Sequence, residues 1–377
     1  MRAAPRYEGE RSPAEPPAPN GWSGAQYSLF RFVWALSFCA YLAPPLLIEA
    51  GGGPVALVPM VASGAVISFS LLLAIGWYDK TAVLGLSVCL VYAQVLGPSS
   101  WLVASVSAGF VLLVHIFLPA APYGSVARMS RSDPGTFWRL PPGLYSSVWL
   151  ALAVLYAYGG VAGVARCFDS GGSVVWSLME LFLAVLAVAG RGRLWAWIAL
   201  MAGQLGLASV GDAGTVNVPF LLMHALAFDP AWVPGVPGGP LLVFYDGGCG
   251  LCHRVVRFVL SEDRHGIDFR FAPLDGELFV DSVPAPEREG LPDSVVVMRV
   301  DKMLLVRSEA MIEIGRRLGG LWRILAEALA RLPRVWRDAC YDAIASLRRY
   351  LFARPQGWCP LIPPYLLSRF PQTRSRV

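Results

Sequence analysis

Eight apolar blocks fill the front of the chain, separated by short polar breaks: Tyr27–Ile48, Val55–Trp77, Thr81–Gly97, Trp101–Leu118, Leu144–Val164, Val174–Ala189, Leu194–Val210 and Val216–Phe228. Each approaches the length that crosses a bilayer core of about 30 Å as a helix. The last is the shortest and contains Pro219. Tryptophans at several block edges (Trp22, Trp77, Trp101, Trp138, Trp176, Trp195, Trp232) suit headgroup depth. After residue 240 the period changes. Leu241–Tyr245 is a short strand-like run closed by Asp246-Gly-Gly, Leu251–Leu260 has apolar residues at helical spacing, and Ile267–Phe271 reads as a second strand. Ser294–Val300 and Met303–Val306 bracket Asp301-Lys302 as a two-residue hairpin, and Glu309–Leu318, Leu321–Leu332 and Arg334–Phe352 read as helices. The pattern predicts a polytopic α-helical membrane domain of about eight spans followed by an α/β domain of thioredoxin type. The expected organisation is an N-terminal segment 1–26, a membrane domain 27–232, a Pro/Gly linker 233–240, the α/β domain 241–359 and a tail 360–377.

Charge divides the chain at the same place. Residues 1–239 hold 11 Lys/Arg and 10 Asp/Glu, whereas the shorter stretch 240–377 holds 20 and 16, so only the back has the charge density of a soluble domain. A hydrophobic content of 55% with 7 Cys in 377 residues excludes collagen, disordered and disulfide-scaffold classes. No apolar core precedes Tyr27, so the first span is expected to act as an uncleaved anchor. Arg2, Arg6, Arg11, Lys80, Arg128, Arg131, Arg139, Arg191 and Arg193 fall in alternate loops, against Arg166 alone in the others. By the positive-inside rule the N-terminus is cytoplasmic, and eight crossings return the C-terminal domain to the cytoplasm, as in a multi-pass inner-membrane protein. Five ionisable groups fall inside the blocks or just past their ends: Arg31, His115, Glu180, Asp212 and His224. Arg31 and Asp212 lie near span ends and are expected to snorkel, and the histidines to be neutral packing residues. Glu180 is expected either to have a functional polar role or to pair with Arg31 or a backbone donor.

The chemistry lies at Asp246-Gly-Gly-Cys249-Gly-Leu-Cys252-His253. Two cysteines separated by two residues at the mouth of a helix can close a small ring, and first-turn amides with the helix dipole stabilise a thiolate on the first. Cys249 is then the nucleophile toward a substrate disulfide, and Cys252, one turn further in and less exposed, the resolving thiol. Asp246 either caps the helix or closes the Gly-Gly turn, or its carboxylate accepts the Cys252 proton during resolution, and these roles are compatible. The same stretch spells the c-type haem pattern, with His253 as axial ligand. A zinc site drawing Cys249 and Cys252 together with Cys340, Cys359 or His265 is a third reading, unsupported by a second CxxC. Cys39 and Cys89 read as packing residues, and Cys167 as a lone thiol in a loop. The C-terminal arginines suit attraction to anionic lipid better than nucleic acid, with an ordinary solvated face the simplest account.

The dithiol segment resembles the DCC family of thiol-disulfide oxidoreductases, named for the Asp-x-x-Cys-x-x-Cys arrangement. Further landmarks are Phe269-Arg-Phe-Ala-Pro-Leu274, Asp293-Ser-Val-Val-Val297, Arg307-Ser-Glu-Ala310, Leu332-Pro-Arg334 and Arg337-Asp-Ala-Cys-Tyr341, over about 241–359. The resemblance implies a thioredoxin-like domain with dithiol redox activity. Thioredoxins carry a cis-proline facing the dithiol, and Pro292 is the candidate here. The front half resembles the HTTM family, a membrane module related to vitamin K-dependent gamma-carboxylase. That likeness rests on Tyr27-Ser-Leu-Phe-Arg-Phe32, Tyr158-Gly-Gly160 before Trp176, Glu180, Arg191-Gly-Arg193 and Phe228-Asp-Pro-Ala-Trp232. Lys80 is the only lysine of this half and lies in a turn, so a desolvated lysine base has no candidate in the core. The expected activity is membrane-anchored exchange of disulfides with a protein or small thiol, through Cys249, Cys252 and Asp246. It requires no metal or organic cofactor, and its partners are the lipid bilayer and a thiol or disulfide substrate, with no nucleic acid. The alternative is a transport, lipid-handling or scaffold protein whose dithiol senses redox state.

Overall fold

The computed structural model describes residues 20–49, 57–96, 102–129, 131, 133–170, 174–189, 192–210, 218–351 and 364–371. Asp212 and Cys359 lie outside these residues, as do the side chains of Cys167 and Trp176. Each apolar block is a helix: α1 (Gly24–Glu49), α2 (Leu57–Ile75), α3 (Asp79–Leu96), α4 (Leu102–Phe117), α6 (Pro142–Ser170), α7 (Val174–Ala189), α8 (Arg193–Val210) and α9 (Val218–Ala227). One short turn of helix, α5 (Val126–Met129), lies in the long connection before α6. The expectation of about eight spans is corrected. Among the described residues two helices are long and apolar enough to cross a membrane, Leu57–Ile75 and Pro142–Ala165. The reason is length and polarity. At about 1.5 Å per residue, α4 and α7 with 16 residues each and α9 with 10 fall short of a full crossing. Three longer helices are less apolar: α1 carries Arg31, α3 opens on Asp79-Lys80 and α8 holds Arg193 and Gln204.

The ionisable side chains of the bundle divide in an unexpected way. Arg31 does not snorkel: it is 0% exposed, and all three guanidinium nitrogens are buried without a hydrogen-bond partner. Its charged and polar neighbours are Tyr27 and Asp79, and Gly76 packs directly on it. Glu180 lies instead beside Gly159 of α6 and near Tyr156. The histidines are packing residues. His224 Nδ1 donates to the Phe220 carbonyl (2.7 Å), so its Nε2 accepts from the Tyr156 hydroxyl (2.8 Å). His115 bridges the Tyr27 hydroxyl and Asp79 Oδ2 (3.3 Å). Lys80 donates to the carbonyls of His115 and Leu118, capping the end of α4. Two of the edge tryptophans are packed inside rather than at headgroup depth: Trp22 donates to Phe228 O and Trp138 to Pro119 O, both at 2.9 Å.

Beyond Pro230–Trp232 the chain enters a four-stranded sheet of order β2-β1-β3-β4, formed by β1 (Leu241–Tyr245), β2 (Phe269–Pro273), β3 (Val296–Met298) and β4 (Leu304–Val306). β1 and β2 are parallel, joined by α10 (Gly250–Glu262); β3 runs antiparallel to both β1 and β4. The alternation of β1 covers both faces. Leu241, Val243 and Tyr245 pack with Val256 and Val259 of α10 and with Ala310 and Ile314 of α13 (Arg307–Leu318). Phe244 turns the other way, onto Phe279 of α11 (Glu277–Ser282). The short helices α11 and α12 (Ala285–Glu289) were not anticipated. The hairpin has three loop residues rather than two: Arg299 pairs with Met303, and Lys302 takes a left-handed φ of 64°. No cis peptide bond occurs among the described residues, so Pro292 is trans, against expectation.

Two more helices, α14 (Gly320–Ala330) and α15 (Arg334–Leu351), follow α13. The linker is tied to the end of α13 and the start of α14 rather than slack. Val236 N–H donates to Arg316 O (2.9 Å), Gly320 N–H to Val233 O (2.7 Å) and Arg317 to Gly239 O (2.6 Å). The Pro364–Arg369 turn, in the segment expected to be a tail, returns to the sheet. Leu366 and Phe370 join the core around α10, and buried Arg369 pairs with Asp263.

Candidate active site

β1 delivers the chain to the dithiol. After Tyr245, Asp246 Oδ1 accepts the Gly248 N–H (2.8 Å) and its carbonyl accepts the Cys249 N–H (3.2 Å), closing a tight turn. Of the roles expected for Asp246, its carboxylate takes the closure of the Gly-Gly turn; it does not cap α10, whose N-cap lies three residues further on. The N-cap is Cys249, extended at φ −103°, ψ 116°, whose Sγ accepts the Cys252 N–H at 3.4 Å. The sulfur thus sits where the first-turn amides and the positive end of the helix dipole converge, an arrangement that favours negative charge on it. Cys249 is 7% exposed and Cys252 4%, so the expected order of exposure holds by a small margin. Cys252 lies within the core formed by Val256, Val259 and Phe271. Gly248, one residue before the nucleophile, is exposed.

His253 braces this loop. Its ring Nε2 lies 2.8 Å from the Gly247 carbonyl, which can only accept, so Nε2 carries the hydrogen. The ring meets Tyr245 edge-on, with centroids 5.7 Å apart. Held this way, Nε2 is committed to the backbone rather than offered as an axial haem ligand. For zinc, no group of three or more His, Cys, Asp or Glu side chains placed to hold a metal occurs among the described residues. Cys340 is exposed on α15.

The motif gave no sign of what happens at the far end of α10. Glu262 is 2% exposed and accepts from the Ser23 hydroxyl, the Ala25 N–H (3.1 Å) and the Trp322 indole N–H (2.5 Å). It thereby supplies the N-terminal cap of α1, so the helix that opens on the cysteines ends plugged into the helical bundle. Burial pushes the Glu262 carboxyl up from its ordinary value, while the three donors and the charge of Arg139 pull against that. Midway along α10, Phe258 packs on Tyr123 and Trp322, the Tyr123 hydroxyl donates to Arg254 O (2.8 Å), and Arg257 donates to Arg131 O (2.5 Å). One local signal is readable: Ser23-Gly-Ala-Gln26 has the spacing of a capping box, although here Gln26 Nε2 donates to Ser23 Oγ (3.0 Å) instead of its Oε1 accepting from the Ser23 amide. Its partner 239 residues away was not.

The profile of the DCC1-like thiol-disulfide oxidoreductase family matches residues 243–354. Over 133 residues the chain is 31% identical to the uncharacterized protein YuxK of Bacillus subtilis, covering 34% of this chain and 92% of that protein. It is 33% identical over 119 residues to a chloroplastic DCC family protein of Arabidopsis thaliana, covering 30% of this chain and 66% of the other. No solved structure matches it. With the dithiol turn, the sheet behind it and α13 to α15 all inside the matched stretch, this chain belongs through its C-terminal domain to the DCC1-like thiol-disulfide oxidoreductase family.

Proposed function

We propose that the protein is a membrane-associated thiol-disulfide oxidoreductase working through Cys249 and Cys252. The observation that carries this reading is the Cys249 sulfur at the N-cap of α10, accepting the Cys252 amide. The Cys249 thiolate attacks one sulfur of a substrate disulfide, forming a mixed disulfide and releasing the other sulfur as thiolate. Cys252 then gives up its proton and attacks Cys249 Sγ. The Cys249–Cys252 disulfide closes, the second substrate thiol leaves, and two electrons have passed to the substrate. A thiol donor recharges the pair. Asp246, beside the turn, is the proton acceptor for Cys252 in this scheme, and no cofactor enters it.

Membrane association draws support from the surface of the helical half. Val88, Val95, Val175, Phe182 and Val185 are each 61–78% exposed, an outward apolar belt that suits lipid rather than water. The redox domain sits against the end of the bundle that carries Ser23, Tyr123 and Arg131, within the loops rich in arginine, which favours a cytoplasmic position. The HTTM-like character of the bundle belongs to the same reading.

The test uses the full chain in detergent or nanodiscs. Wild type is expected to reduce a peptide disulfide with accumulation of the Cys249–Cys252 bridge, Cys252→Ser to trap a mixed disulfide on Cys249, and Cys249→Ser to do neither. Absence of the bridge, together with Cys249 alkylation no faster at neutral pH than for an unperturbed thiol, overturns the enzyme reading. A chain that leaves membranes on carbonate extraction overturns the membrane reading.

A further inference from the structure

α15 is amphipathic in the inverse sense. Its polar side attaches it to its own domain: Arg337 pairs with Glu309 (3.1 Å), Asp342 with Arg307 (3.2 Å), Asp338 accepts from Ser308, and the Tyr341 hydroxyl accepts the Val295 N–H (3.1 Å). At 100° per residue, the opposite side is formed by Trp336, Cys340, Ala343 and Leu347, with Ile344 at its border next to Arg337. That side points away from the protein, with Trp336 67% exposed, Ile344 58% and Leu347 50%. The apolar surface continues toward α14 through Leu332 and Leu325, both 48% exposed. A helix that turns its charges inward and its tryptophan outward has no reason to do so in water alone.

Charge and position indicate what covers it. Residues 320–351 contain Arg323, Arg331, Arg334, Arg337, Arg348 and Arg349 against Glu327, Asp338 and Asp342. All three acids are in ion pairs, Glu327 with Arg316, Asp338 with Arg334 and Asp342 with Arg307, so the net charge left is positive. The start of α14 is fixed to the end of the bundle where α1 begins: Leu321 N–H donates to Gln26 Oε1 (3.1 Å), and Leu321 packs against the bundle core. An apolar face on a pair of helices of net positive charge, at the end of an apolar bundle, has the composition of a segment lying in a lipid interface.

We infer that α15 lies on an anionic lipid surface, with Trp336, Ile344 and Leu347 in the headgroup–acyl boundary and arginines at the phosphates. The inference rests on the reading of the helical bundle as membrane-associated. Its consequence is positional: the dithiol domain is held at fixed height over the bilayer.

The full chain is reconstituted in nanodiscs of phosphatidylcholine with or without phosphatidylserine. A water-soluble maleimide is applied, and Cys340 modification is read by peptide mass spectrometry. Cys340 is expected to label several-fold more slowly in anionic discs than in zwitterionic discs or detergent. Arg331→Gln is expected to weaken the protection about fivefold, and W336E/I344E to abolish it while disulfide reduction in detergent stays unchanged. Equal labelling in both discs, with the chain retained in them, overturns this inference alone. A chain that stays out of the discs overturns the membrane reading with it. Protection already present in detergent, with a doubled mass, assigns the face to a second copy and also overturns it.

Discussion

Arg31 and Glu262 are both ionisable side chains out of reach of water, and their surroundings give them opposite consequences. Glu262 has three donors aimed at it, whereas the guanidinium of Arg31 has no hydrogen-bond partner. Replacing an orphaned buried charge with an apolar chain of similar length removes a desolvation cost, so Arg31→Met is expected to raise stability by about 1–3 kcal/mol. The measurement is the Tm in detergent. Glu262→Ala leaves the donors of Ser23, Ala25 and Trp322 unmet and is expected to cost about 2–4 kcal/mol. The pH dependence follows from the direction of its shift. A carboxyl raised in the folded state contributes stability that is fully present below the ordinary carboxyl value of 4.5 and is lost as pH rises from there through its folded value. Denaturant midpoints should therefore fall as pH rises across that window in the wild type, and flatten in Glu262→Gln.

At the scale of elements, α10 has two duties that substitutions at Cys249 can separate. Serine is a good N-cap, so Cys249→Ser is expected to abolish disulfide exchange with stability nearly unchanged. Cys249→Ala should lose exchange and about 1 kcal/mol of stability as well, measured by thermal unfolding. The strand of β1 and the helix after it were readable because period and turn signals agreed there: an apolar run, Asp-Gly-Gly, then apolar positions three and four apart. For Asp246 the sequence leaves helix cap and closure of the Gly-Gly turn both open, because spacing alone does not say which amide a carboxylate meets; the structure selects the turn, since Gly248 is nearer than the first turn of the helix. α15 shows a different limit. Its sequence reveals an apolar stripe, but periodicity carries no information on which side packs, and here Arg337, Asp338 and Asp342 win the inner face through two ion pairs and a hydrogen bond to Glu309, Arg307 and Ser308 of α13.

For the whole molecule, the redox domain and the bundle are joined by more than a linker. The bundle meets α10 along its length, through Ser23 and Ala25 on Glu262, Tyr123 on the Arg254 carbonyl and the Arg131 carbonyl on Arg257, and the Pro364–Arg369 turn closes the domain. Arg369→Ala leaves the nearly inaccessible carboxylate of Asp263 without its ion-pair partner and is expected to cost about 3–5 kcal/mol, lowering the Tm of the full chain. What the sequence by itself determined is local: where helices and strands fall, that charge density divides the chain, and that two cysteines stand at a helix mouth, because each depends on residues within a few positions of one another. What only the tertiary structure decided is the burial of Arg31, the plugging of Glu262 into α1, the outward apolar face of α15 and the number of helices fit to cross a bilayer. These depend on which surfaces meet across hundreds of residues and on how far each helix runs before packing and polar ends stop it, and no local period encodes either.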